Sequence, residues 1–514
     1  MNGAENIIQT LVKAGVDTCF TNPGTSEMHF VRAIGNEPKM RSILGLFEGV
    51  CSGAADGYAR MAGKPAATLL HLGPGLANAT ANIHNARRAH SPMVNLIGDH
   101  ATYHLEYDAP LASDVNGLAK SFSDWTKSTA TADELASDGA LAVQQSMKGA
   151  GKIASLIVPA NCAWNETSSQ ADPLPLIPTP KVSSDRIDKI AKILKEKSNV
   201  IIVVGGPAND NSSITALDKI SQATGATVLY ETFNGRITRG AGHVKFDRVA
   251  YFVEMAQAQF KDCQHVITIG AKSPVAFFAY PDRPSTPLPE DCPSDILATV
   301  DEDVIAAAED LSIAVGANKL APRIQEIVRP DLMTGELNIK SIGFSLGNLL
   351  PENTIIVDEA ATSGAPASGL TEGIPSHDWL QLTGGSIGFG LPVATGAAVA
   401  CPDRKVICLH GDGGAMYTIQ SLWTQARENL NIVNIIFANR KYQILQVELM
   451  RVGADSPTQK TLDMLDISNP DLNFQQIAQG MGVNATRATT AEEFNIQLQR
   501  ALKAEGPQLI EAII

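Results

Sequence analysis

Residues 405–439, KVICLHGDGGAMYTIQSLWTQARENLNIVNIIFAN, read as a strand, a glycine-rich turn, a helix and a second strand. The two β-branched runs are joined by a crossover long enough for a helix, so they pair in parallel with a right-handed connection. Asp412 and Asn439 then emerge at one sheet edge, beyond the carboxyl ends of the strands, where ligands of open α/β sheets bind. A carboxylate and an amide oxygen there can share one hard cation, and Mg²⁺ suits them. Gly411, Gly413 and Gly414 let backbone N–H groups approach an anion at the start of the following helix, expected to run through Tyr417, Leu422, Trp423 and Ala426. A diphosphate bridged by Mg²⁺ meets both demands. The competing reading is a tight strand–helix turn with Asp412 as its N-cap.

The same alternation runs outward along the chain. ATLLHL, MVNLIGD, ASLIVPA, NVIIVVGG, HVITIGA and TIIVDE are short apolar runs separated by helical patterns. The fold class is therefore α/β, with mostly parallel sheets and helices on both faces. A proline-rich stretch at Ala171–Ser184 and a composition shift near Asp331–Ile339 divide the 514 residues into three consecutive domains, 1–172, 185–330 and 340–514. The N-terminus spaces Ile7, Ile8, Leu11 and Val12 as an amphipathic helix and lacks the basic region and long apolar run of a signal peptide.

Apolar residues make up 44% and charged residues 18%, a globular balance. A net charge of −14 without a basic stripe opposes nucleic-acid binding, and no apolar run is long enough to cross a bilayer. The seven cysteines are scattered without a C-x-x-C pair, which reads as reduced thiols in a cytoplasmic chain, with neither disulfides nor zinc.

The G-D-G turn followed one unit later by asparagine resembles the signature of thiamine diphosphate-dependent enzymes. The resemblance implies Asp412, Asn439 and the backbone carbonyl of Lys441 as Mg²⁺ ligands, with Tyr417 beside the diphosphate. LFEGV (46–50) followed by GAADGYAR (53–60) is similar to the helix carrying that family's cofactor-activating glutamate, which implies Glu48 as the residue sharing a proton with the aminopyrimidine. TGGSIGFGLP (383–392) resembles the aminopyrimidine loop: the Gly385 carbonyl would accept from the 4′-amino group, and Ile387 would wedge the cofactor into its bent form. DEAATS (358–363) is similar to a diphosphate-contacting turn, with Thr362 as its hydroxyl.

The domain order resembles the acetolactate synthase, pyruvate oxidase and benzoylformate decarboxylase group. That implies active sites between subunits, at least a homodimer, and the homotetramer usual in the group. NPGTSE (22–27) looks like the benzoylformate decarboxylase loop near the substrate carboxylate, with Thr25 where that enzyme has a serine, and His71 stands where it has a catalytic histidine. SPVAFFAY (273–280) resembles the loop bearing its second histidine but contains none, so Phe277, Phe278 and Tyr280 are expected to form an apolar wall or to pack the central domain. The resemblance implies a small-molecule 2-oxo acid substrate and a decarboxylase or carboligase acting through a C2 carbanion and enamine. An acetolactate synthase-type carboligase and an inactive cofactor-binding subunit are the alternatives. Residues 186–330 show no flavin-binding pattern.

Two readings from other classes fail on order and spacing. GGSIG (384–388) matches a serine hydrolase elbow, yet only His410 follows Ser386, with Asp403 the sole acid between them. VVGGP (203–207) lacks the third spaced glycine of a nicotinamide-binding loop.

Overall fold

The structure is a computed structural model that describes residues 1–454 and 456–514. Three sheets follow one another. The first has six parallel strands in the order Arg41–Leu44, Thr18–Thr21, Ala66–Leu70, Met93–Asp99, Ile153–Pro159, Trp125–Ser128. The second has five parallel strands, Asp247–Arg248, Thr227–Tyr230, Val200–Val204, His265–Ile269 and Ser294–Ala298. The third has seven. Six of them are parallel, and the strand Ile237–Arg239, from the middle of the chain, pairs antiparallel with His377–Gln381 at its edge. The chain is α/β throughout, and that strand joins the central span to the C-terminal sheet.

The first helix, Gly3–Lys13, starts in a reciprocal capping arrangement of Asn2 and Glu5 and buries Ile7, Ile8 and Leu11, the face the sequence spacing marks. The first and third sheets share one apolar core, because helix Glu48–Ala62 lies directly on helix Gly390–Ala400. Two glycines permit that approach. A Cβ on Gly57 would lie 2.1 Å from the Val393 carbonyl oxygen, and one on Gly396 would lie 1.8 Å from that of Ala54. Beside this seam Arg60 and Asp56 form a buried two-point ion pair, and Arg60 also donates to the Gln381 carbonyl at 2.8 Å. Among the described residues no helix is long and apolar enough to cross a membrane.

Candidate active site

The third sheet gathers the C-terminal candidates at one edge. Ile355–Glu359, Val406–Gly411 and Ile432–Ala438 are adjacent parallel strands, so Gly411 ends its strand and Thr362, Asp412 and Asn439 follow the carboxyl ends at the same sheet edge. Asp412 is buried; its Oδ1 accepts from the Gly413 N–H at 2.8 Å and its Oδ2 from the Arg440 N–H at 2.6 Å. Arg440 takes the left-handed backbone conformation, φ 60°, and so aims its N–H back at the carboxylate. Asn439 Oδ1 accepts from the Lys441 N–H at 3.1 Å. Burial pushes the Asp412 carboxyl above its ordinary range, so a cation beside it would offset the cost of its charge. A cleft of about 350 Å³ lined by Asn439, Arg440, Lys441 and Asp466 opens next to this corner.

The helix expected to continue past Gly411 is broken in two. Asp412–Ala415 and Ser421–Arg427 are separate segments, and Thr418 between them donates to the Gly388 carbonyl at 2.9 Å. That contact joins the segment after the 411–414 turn to the loop carrying Gly385 and Ile387. The loop itself hangs from Glu359, whose carboxylate accepts from the Gly388 N–H at 2.7 Å and from the Gly390 N–H. His410 Nε2 lies 2.9 Å from the same carboxylate, wedged against Gly390 and Gly414. Ile387 and Tyr417 stay 40% and 52% exposed, free to meet something the chain alone does not supply.

The N-terminal candidates form a second group. Glu48 is the first residue of its helix and is buried, with Oε2 accepting from Asn78 Nδ2 at 3.0 Å. A Cβ on Gly75 would lie 3.1 Å from Glu48 Oε1 and 3.2 Å from His71 Cβ, so the two side chains flank that glycine. His71 caps the helix Leu72–Arg88, and its Nδ1 lies 2.7 Å from Glu27 Oε2. Glu27 is 1% exposed and also accepts from the Gly24 N–H at 3.0 Å. Burial pushes its carboxyl up, and His71 and the Gly24 N–H pull it back down. Thr25 is exposed on the turn between them. Helix Leu72–Arg88 then reaches the other group: Asn85 Nδ2 donates to the Ser386 carbonyl at 2.8 Å, and Asn82 Nδ2 to the Gly388 carbonyl at 3.3 Å.

The central span contributes a wall. Phe277 packs on Phe233, Tyr251 and Phe278 with ring centroids 5.7, 5.4 and 4.7 Å away, and a Cβ on Gly385 would lie 2.7 Å from its Cζ. Tyr280 points elsewhere, donating its hydroxyl to Glu448, while Arg451 pairs with Glu254 at 3.0 Å.

Residues 1–124 match the family model described as the thiamine pyrophosphate enzyme N-terminal TPP binding domain, and residues 371–512 match that of the C-terminal TPP binding domain. The whole chain is 49% identical to a Mycobacterium tuberculosis protein named provisionally as an acetolactate synthase large subunit, IlvX, with 100% of this chain and 99% of that one aligned. The chain belongs to the thiamine diphosphate-dependent enzymes. Within them it falls in the acetolactate synthase and benzoylformate decarboxylase group: the benzoylformate decarboxylase of Pseudomonas aeruginosa is 27% identical over 98% of this chain and 97% of its own. The thiamine diphosphate-dependent 4-hydroxybenzoylformate decarboxylase of Rhodococcus jostii RHA1 shares the fold, with a TM-score of 0.85 over 99% of this chain and 98% of that one, at 24% identity.

The donor set fits the cofactor of this family. Asp412 and Asn439 offer only oxygen, as Mg²⁺ prefers, and the Asp412 carboxyl is buried where a cation would offset the cost of its charge. Three contributors escaped the sequence reading. Glu27 lay inside a quoted motif without a role, although a glutamate three residues after the turn-starting Gly24 is the spacing that lets it accept that residue's N–H. Asn78 and Glu359 carry no such signal, because their partners lie 30 and 29 residues away.

Proposed function

We propose that this protein is a thiamine diphosphate- and Mg²⁺-dependent enzyme that breaks or makes the bond at the keto carbon of a small 2-oxo acid, with a benzoylformate decarboxylase-like arrangement. The observation that carries this reading is Glu48, buried at the first turn of its helix and steadied through one oxygen by Asn78, beside an oriented histidine. A chain that merely stored the cofactor would not need that carboxyl. Asp412, Asn439 and the Lys441 carbonyl would hold Mg²⁺. Gly411, Gly413, Gly414, Thr362 and Tyr417 would face the diphosphate, with the Gly385 carbonyl and Ile387 at the aminopyrimidine.

When bound, the cofactor supplies the nucleophile and the electron sink for loss of CO₂. The chain supplies proton control. Glu48 exchanges a proton with the aminopyrimidine ring. Glu27 engages His71 Nδ1, which leaves Nε2 as the nitrogen that can pass a proton to or from substrate. The Thr25 hydroxyl is placed to meet the substrate carboxylate, and Phe277 with Phe278, 42% and 52% exposed, offers an apolar surface to the donor's side chain. Because Glu48 and Asp412 would serve different sites, two subunits complete each one, in a dimer at least.

Joining of two 2-oxo acids is the second reading, favoured by the 49% identical relative and its name. Turnover of pyruvate, benzoylformate and branched-chain 2-oxo acids, with cofactor and Mg²⁺ added or withheld, separates the cases. Aldehyde plus CO₂ marks a decarboxylase and a hydroxyketone or acetolactate a carboligase. Cofactor binding without turnover of any acid marks an inactive subunit. Glu48→Gln is expected to lose at least about a hundredfold in kcat while still binding cofactor; near-normal turnover would overturn the proposed role.

A further inference from the structure

The strands His265–Ile269 and Ser294–Ala298 are parallel neighbours, with Val266 opposite Ser294. Two cysteines sit just before them, at the same end. Cys263 lies in the turn after helix Val253–Phe260, and Cys292 on the returning end of the crossover that leaves Ile269 and carries Phe277, Phe278 and Tyr280. Their sulfurs are 3.7 Å apart. A disulfide bond needs about 2.05 Å, so less than about 1 Å of movement by each sulfur would close it. Backbone contacts hold both in place: the Cys263 N–H donates to the Phe260 carbonyl at 3.0 Å, the Cys292 N–H to that of Pro289 at 3.0 Å, and the Val266 N–H to that of Pro293 at 2.9 Å. Cys263 is buried, its S–H directed at the His265 carbonyl 3.2 Å away, whereas Cys292 is partly exposed. One thiol is therefore reachable and the other is held behind it.

We propose that Cys263 and Cys292 are a redox-modification site that closes to an intramolecular disulfide when a peroxide is the oxidant, covalently tying the return of the Phe277 crossover to the start of the neighbouring strand. In the first step the Cys292 sulfur attacks one peroxide oxygen; the O–O bond breaks, water leaves and a sulfenic acid forms. In the second the Cys263 sulfur attacks the Cys292 sulfur, the S–O bond breaks, and a second water leaves carrying the Cys263 proton. Two thiols are oxidised by two electrons and one H₂O₂ is reduced to two waters. Burial and the neighbouring thiol push the Cys292 thiol up to about 12, so the first step is slow at neutral pH and the site responds to sustained exposure.

The chemistry of the pair stands apart from the proposed catalytic function, whereas any effect on turnover through Phe277 rests on that function. The test therefore reads sulfur first. The full-length protein is incubated with hydrogen peroxide at mildly alkaline pH, denatured with a thiol-blocking reagent, and mapped without reduction. The expected result is a peptide linked through Cys263 and Cys292 and a fall in blockable thiols from the seven of the chain to five. Cys292→Ser should abolish the link while leaving turnover of the reduced protein unchanged. Cys263→Ser should instead accumulate a Cys292 sulfenic acid trapped by a dione probe. Recovery of Cys292 in the oxidised wild-type protein as a sulfenic or sulfinic acid with Cys263 still free, or linked between two chains, would overturn the proposal.

Discussion

Glu231 follows the strand Thr227–Tyr230 and folds back onto the turn after Val200–Val204, where its Oε1 accepts from the Gly206 N–H at 3.1 Å. A Cβ on Gly205 would lie 2.2 Å from the same oxygen, so the carboxyl fills the small concavity at the carboxyl edge of the central sheet. Burial pushes it from the ordinary 4.5 up to about 7, against weaker downward pulls from the Gly206 N–H and Lys272. The native state thus holds the Glu231 proton more tightly than the unfolded chain does. The stabilising contribution is complete below about pH 4.5 and is lost as pH rises through about 7. The span between those values, at roughly 1.4 kcal/mol per pH unit, is worth about 3 kcal/mol. Glu231→Gln keeps an oxygen for Gly206 and removes the charge, so it should stabilise the central sheet by about that amount at mildly alkaline pH and by nothing in acid. Hydrogen exchange of peptides covering Val200–Val204 and Thr227–Tyr230, compared between variant and wild type at equal pH, cancels the intrinsic exchange chemistry. The variant should exchange roughly a hundredfold more slowly at about pH 8 and equally at about pH 4.5. Equal exchange at both would refute the reasoning.

Glu27→Gln removes the charge that orients His71; kcat on the preferred 2-oxo acid should fall by about ten- to a hundredfold, with cofactor affinity held within about twofold, as read by steady-state kinetics and cofactor titration. Asp56→Asn strands the Arg60 guanidinium, almost wholly buried, without its counter-charge. The expected loss is about 3–5 kcal/mol, seen as a lowered urea midpoint of the reduced protein. Gly396→Val places a side chain on the Ala54 carbonyl oxygen, only 1.8 Å from the new Cβ. Since backbone on both sides must separate, a loss of more than about 2 kcal/mol in the same assay is expected, and a midpoint equal to wild type would show that the helix seam is looser than the structure draws it.

The alternation of apolar runs and helical patterns sufficed for the α/β class, because the central parallel strands are buried on both faces and advertise themselves as continuous apolar runs, whereas edge strands such as Asp247–Arg248 do not. Ile432–Ala438 is one of the central strands, all seven residues buried. Ile237–Arg239 has three residues of intermediate burial and no such pattern, and its partner His377–Gln381 lies far along the chain; nothing local could announce it. The same contrast holds in the site. Asp412 and Asn439 were placed by one strand–helix–strand unit, whose geometry is local. The hold of Glu359 on Gly388 and of Asn78 on Glu48 depends on how separate segments dock. The break at Met416–Gln420 has the same origin, since Thr418 turns to the Gly388 carbonyl instead of continuing a helix. The thiol pair also lay beyond spacing, because two cysteines 29 positions apart, with a strand and its crossover between them, are brought together only by the pairing of adjacent parallel strands.

The two groups of candidates differ in character, and that difference bears on the reaction. The group around Glu48, Glu27 and His71 is polar, with each carboxyl fixed by a named partner. Where the loop 384–390 meets the central span, an aromatic cluster that includes the phenol of Tyr251 lies against Gly385, and the phenol of Tyr280 is committed to Glu448. In the proposed reaction His71, held through Nδ1 by Glu27, is then the oriented proton donor or acceptor on the substrate side. On the proposed reading the two groups divide the work: Glu48 and His71 handle protons, while Phe277 and Phe278 offer the apolar surface that meets the donor's side chain.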